Sequence, residues 1–227
     1  MNTGTAHPVR RRLKAIATAG VAAVAVSLLP SAAVAQEPGA SAVGALDAPR
    51  AAELTSVTAA AAKGTTYLQF KKNKKDPSNS RLSLYFIQQV SPDKTRTWRV
   101  DSWRAGSGLG TADNKIGRDG CKSNVGWLPS GTYDITSFSN NFSGKINGIV
   151  WRLSDKRCLG KAKTKRTALF IHSEMKSNGA QGSTESTRWD GNSDYKSNGC
   201  VKLKPADVRE LKSYRSSYPK PTQLYVS

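Results

Sequence analysis

Leu82-Ser83-Leu84-Tyr85-Phe86, and beyond it Trp98-Arg99-Val100-Asp101-Ser102, form the stretch on which the fold is read. Leu82, Leu84 and Phe86 alternate with Ser83 and Tyr85, the period of a strand that buries one face. Ser91-Pro92-Asp93-Lys94 is turn chemistry. Trp98, Val100 and Ser102 resume the alternation, so residues 82–103 read as a β-hairpin. Tyr67, Leu68 and Phe70 suggest a strand before it. Gly131 to Phe138, Lys145 to Leu153 and Thr167 to Ser173 suggest strands after it, and Leu224 to Val226 a last one. Residues 105–126 and 176–199 are long polar loops rich in Gly, Asn, Asp and Ser. One helix is expected after residue 204: Pro205 suits a first turn, and Val208, Leu211 and Tyr214 or Arg215 share a face. The expected class is mainly β, with a single helix.

The chain has 227 residues and a formal charge of +19, from 35 Lys and Arg against 16 Asp and Glu. Aromatic and β-branched residues spread through the second half exclude a disordered polymer. Residues 1–35 read as a secretory signal peptide. Arg10, Arg11, Arg12 and Lys14 precede the apolar run Ala15 to Leu29, and Ala33-Val34-Ala35 offers a small-x-small cleavage site. The run is short for a stable membrane span. Loss of the four leader charges lowers the formal charge from +19 to +15. Residues 36–63, rich in Ala, Pro, Ser and Gly, read as a flexible linker, with a frayed helix over Ala51 to Ala62. The folded domain is expected over 64–227. An exported basic domain meets anionic wall polymers rather than nucleic acid. Lys71-Lys72-Lys74-Lys75 and Lys161-Lys163-Lys165-Arg166 are basic runs that fit either wall contact or solvated turns.

Beyond the leader the chain owns one histidine, His172, and three cysteines, Cys121, Cys158 and Cys200. An odd count in an exported protein leaves one thiol over. Cys121 and Cys158 stand at turn positions between strands. Cys200 follows Gly199 in Ser197-Asn198-Gly199-Cys200, a turn that exposes sulfur and turns backbone N–H groups toward a reacting carbonyl. We assign a Cys121–Cys158 disulfide and a free Cys200; the count fits equally well a pairing in which Cys200 is bridged and inert. A thiol needs a base, and His172, at the end of Ala168-Leu169-Phe170-Ile171, is the side chain suited to that near pH 7. One His and one spare Cys cannot close a zinc site, so neither metal nor cofactor is expected.

Ile171-His172-Ser173, then Ser197-Asn198-Gly199-Cys200-Val201-Lys202, then Pro205-Ala206-Asp207-Val208 resemble the L,D-transpeptidase (YkuD-like) family. Its members carry His-Ser or His-Gly at a strand end, and Ser-His-Gly-Cys before an apolar residue and Arg or Asn. Leu128-Pro129-Ser130-Gly131-Thr132-Tyr133 resembles the family's Thr-Pro-x-Gly-x-Phe segment. The resemblance covers about 64–227. Asn198 replaces the second histidine, Lys202 stands where Arg or Asn is usual, and the His-to-Cys loop is longer. The resemblance implies a β-sandwich-like domain and a peptidoglycan substrate. It implies that Cys200 attacks a stem-peptide carbonyl with His172 as base, and that an amine of a neighbouring stem resolves the thioester into a 3→3 cross-link. Ser173 would orient His172 through its carbonyl. Gly199 and Cys200 would supply oxyanion N–H groups beside Asn198. Lys202 would hold a substrate carboxylate or support the cysteine turn. A hydrolytic L,D-carboxypeptidase and an inactive wall-binding protein of the same fold are the alternatives. Trp189 and Tyr195 fit two roles, covering bound peptide or, preferred here, anchoring the long loop.

Overall fold

The alternating segments become strands because each offers one apolar face to a shared interior. The computed structural model describes residues 64–158 and 164–227. The expected leader and linker, with Lys161 and Lys163, lie outside the described residues. In chain order the strands are β1 (Gly64–Lys71), β2 (Ser80–Ser91), β3 (Lys94–Gly106), β4 (Gly131–Phe142), β5 (Gly148–Leu153), β6 (Lys156–Arg157), β7 (Lys165–Arg166), β8 (Phe170–His172), β9 (Val201–Leu203) and β10 (Gln223–Val226). Helix α1 spans Pro205–Ser217 and lies between β9 and β10. The domain is mainly β with a single α-helix after Cys200 among the described residues. Eight strands pair in the closed order β1-β10-β4-β5-β8-β9-β3-β2, while β6 and β7 form a separate ribbon.

The hairpin of β2 and β3 is the longest ladder, running from Ser80 opposite Ala105 to Ser91 opposite Lys94. Its inward residues Leu82, Leu84 and Trp103 join Leu68, Phe70, Tyr133, Trp151, Ile171, Val201 and Leu224 in one apolar core. Two expected strands are shorter than their sequence suggested. The Thr167–Ser173 segment pairs only over β8, because Ala168 adopts φ 51° and turns the chain out of the extended region. The Lys145–Leu153 segment begins at Gly148. Strand β9 was not anticipated.

Helix α1 starts at Pro205, whose missing N–H costs nothing in a first turn, and carries Asp207 near its N-terminus and Arg215 near its C-terminus. Val208 and Leu211 are buried against the sheet. Two polar ties fix it to β3: Trp103 Nε1 donates to Glu210 at 2.9 Å, and Tyr214 Oη donates to Asp101 at 2.8 Å. Leu211→Ala should therefore cost about 2–5 kcal/mol of unfolding free energy in a denaturant titration, the usual cost of a buried leucine truncation.

Candidate active site

The core delivers two short strands side by side. Strand β8 pairs antiparallel with β5 and parallel with β9, setting Ile171 opposite Val201 and His172 opposite Lys202. Ile171 and Val201 are fully buried. By the two-residue period His172 and Lys202 point the other way, and Cys200 lies just before β9. His172, Ser173, Asn198, Cys200 and Lys202 all line one cleft of about 280 Å³. Thus residues 28 positions apart in sequence converge.

Cys121 and Cys158 form a disulfide, with Cα atoms 5.4 Å apart, and Cys200 is a free, half-buried thiol. The imidazole is held by one bond. His172 Nδ1 lies 2.9 Å from the Ser173 carbonyl oxygen. That carbonyl can only accept, so Nδ1 carries the proton and Nε2 keeps its lone pair. Burial, then the charge of Lys202, lowers the His172 pKa to about 4, against a smaller opposing effect from the Ser173 carbonyl. The ring is therefore neutral at pH 7.

The Cys200 thiol contacts the Ala168 carbonyl oxygen at 3.7 Å. No hydrogen bond links it to the imidazole among the described residues. Burial raises its pKa to about 11, opposed by the Phe170 backbone N–H, Lys202 and Arg166. At rest the site holds a thiol and a neutral imidazole rather than an ion pair.

The cysteine turn is tied from several directions. Ser197 Oγ donates to the Cys200 carbonyl at 2.6 Å and accepts from the N–H groups of Gly199 and Gly108, each at 3.2 Å. The Gly199 N–H, expected to face an oxyanion, is thus engaged within the turn. Gly199 has φ +116°, and a Cβ there would sit 1.9 Å from Arg166 Nη2. Only glycine fits.

Lys202 differs most from expectation. Its ammonium pairs with the Glu174 carboxylate, and both side chains are largely buried. It meets a carboxylate of its own chain. Burial raises the Glu174 pKa, and the hydrogen bond and charge of Lys202 oppose that rise. The parallel register of β8 and β9 sets Lys202 opposite His172, and Glu174, two residues past His172 and beyond the end of β8, is reached diagonally by the long lysine side chain. Other cleft residues come from outside the motifs: Leu109, Lys145 and Ile146 from two turns, and Ser186 and Lys196 from the long loop. Trp189 and Tyr195 anchor that loop instead of lining the cleft. Their rings meet edge to face at 4.8 Å, and Arg104 stacks on Tyr195 at 4.1 Å.

Arg166 ends a basic run in the sequence. It is buried, and its guanidinium reaches behind the cysteine turn. Lys72 is similarly unlike a solvated lysine: its ammonium donates to Ser130 Oγ at 2.6 Å and lies over the Trp127 ring. Among the described residues no cluster of three or more His, Cys, Asp and Glu is placed to hold a metal, and no helix is long and apolar enough to cross a membrane. Compared with known proteins, the chain matches no protein-family model and no curated protein.

Proposed function

We propose that this chain is an exported cysteine acyltransferase of the L,D-transpeptidase kind, acting on peptidoglycan stem peptides outside the membrane. The observation that carries the proposal is the shared cleft of the free thiol Cys200 and His172, with Nδ1 of the ring fixed on the Ser173 carbonyl. Rim lysines Lys145 and Lys196 carry no ion-pair partner among the described residues, so they attract the carboxylates of such a peptide.

In the proposed reaction a stem peptide places its scissile carbonyl carbon against Cys200 Sγ. As the S–C bond forms, the thiol proton passes to His172 Nε2. The Cys200 N–H faces the developing oxyanion. The imidazolium then gives its proton to the leaving D-Ala nitrogen as the C–N bond breaks, leaving a thioester. An incoming amine loses a proton to His172 and attacks the thioester, forming the cross-linking amide and returning the thiol. A neutral thiol and imidazole at rest favour proton transfer during attack over a standing thiolate.

The test is incubation with disaccharide-tetrapeptide and, separately, with a carbapenem, read by intact mass and product analysis. Wild type should add one acyl group per chain, and Cys200→Ala none. Cross-linked dimers establish the transpeptidase; tripeptide alone establishes hydrolysis. Absence of any adduct on Cys200 would sink the enzymatic reading.

A further inference from the structure

The cleft leaves one buried charge unexplained. Arg166 is 3% exposed, yet no ion pair among the described residues includes it. A buried cation without a counter-ion is costly, and its partners here are all neutral carbonyls. Nη1 donates to Gly120 O and, at 3.4 Å, to Trp127 O. Nη2 donates to Gly126 O at 3.3 Å and to Asn198 O at 3.0 Å. The guanidinium thus clasps the 120–127 loop to the peptide before Gly199.

The disulfide closes the same joint. Cys121 adjoins Gly120, while Cys158 pairs its N–H with Thr164 O at 2.9 Å, one step from the β7 ribbon that carries Arg166. The charged groups facing Cys200 are Lys202 from β9 and Arg166 from β7, beside the neutral His172 of β8. Lys202 is already matched by Glu174. Around Arg166 itself stand Tyr133, Cys200 and Asp119.

We infer that Arg166 is a positioning residue for Cys200: its charge, in no ion pair among the described residues, favours the sulfur as an anion, and its fork fixes the turn that presents the sulfur. Asp119 stands near Arg166 without forming an ion pair, and the negative charge that develops on Cys200 during attack adds to its compensation. The inference rests on Cys200 being the nucleophile. Glycine at 199 fits this role, since the fork occupies the space of a side chain there.

The test uses non-reduced protein, in which Cys200 is the sole expected alkylation site. Rates of iodoacetamide alkylation across pH would be compared for wild type, Arg166→Met and Arg166→Lys, alongside carbapenem acylation, thermal midpoints and thiol counts. Arg166→Met should shift the alkylation profile up by about one pH unit, a rate loss of about tenfold at neutral pH. Arg166→Lys should keep most of that profile yet lose about tenfold or more in acylation, because an ammonium lacks the planar fork. A folded Arg166→Met protein with the wild-type profile overturns the inference. If Arg166→Met does not fold, the lysine variant decides, and wild-type acylation by it overturns the inference. A wild type that alkylates but never acylates removes the transpeptidase reading, while the alkylation profile still decides the role of Arg166.

Discussion

His172→Gln is expected to slow acylation of Cys200 by about a thousandfold, within the range that loss of a general base produces. The thiol, raised to about pKa 11 by burial, is almost wholly protonated at pH 7. Without Nε2 no nearby neutral base takes its proton. The pH profile of the wild type should separate this from mere disruption. His172 accepts a proton only while neutral, so acylation should hold through neutral pH and fall as pH drops toward about 4. A profile centred instead near pH 6.5 would contradict a buried base. Stability should follow the same group. Its folded pKa lies below the unfolded value, so the unfolded chain takes up the proton first on acidification. The stabilisation is complete above about pH 6.5 and declines toward pH 4, by about 3 kcal/mol in all. Subtracting the His172→Gln stability curve from that of wild type should reveal this slope.

Legibility in the sequence tracked how far a side-chain pattern repeats. The hairpin of β2 and β3 was readable because Leu82, Leu84 and Phe86 are buried at every second position, with Ser83 and Tyr85 between them. Strand β9 was hidden: Val201, Lys202 and Leu203 alternate in type, but a run of 3 residues is too short to read as a strand. Lys202 is buried with Glu174 as its ion-pair partner, a contact between distant chain segments that the local sequence does not announce. The Cys121–Cys158 bridge is present as assigned, and His172 and Cys200, singled out by the scarcity of their residue types, lie in one cleft. Arg166 was not. In the β7 ribbon Lys165 faces Asp155 at the surface while Arg166 turns inward, and a run of basic residues does not say which member does so. The signal that could have found it is indirect: a glycine before the cysteine leaves room for some other group.

That room can be tested directly. Gly199→Ala should reduce acylation of Cys200 by at least about a hundredfold and cost about 1–3 kcal/mol of stability. Two effects add. The φ of +116° is unfavourable for any residue with a Cβ, and the methyl group would lie 1.9 Å from Arg166 Nη2. Either the guanidinium leaves Asn198 O or the turn swings away, and both displace the sulfur from His172. The same substitution elsewhere in the loop supplies the control. At Gly191 an added Cβ meets nothing closer than Ser193 Oγ at 3.8 Å, and φ is an ordinary −171°. Gly191→Ala should therefore change the acylation rate by no more than about twofold. Equal losses from both substitutions would mean that general loop order, rather than the seat of the guanidinium behind the cysteine turn, governs the reactivity of Cys200. If only Gly199→Ala fails, and alkylation of Cys200 slows in step with acylation, the defect lies in the placement of the sulfur itself.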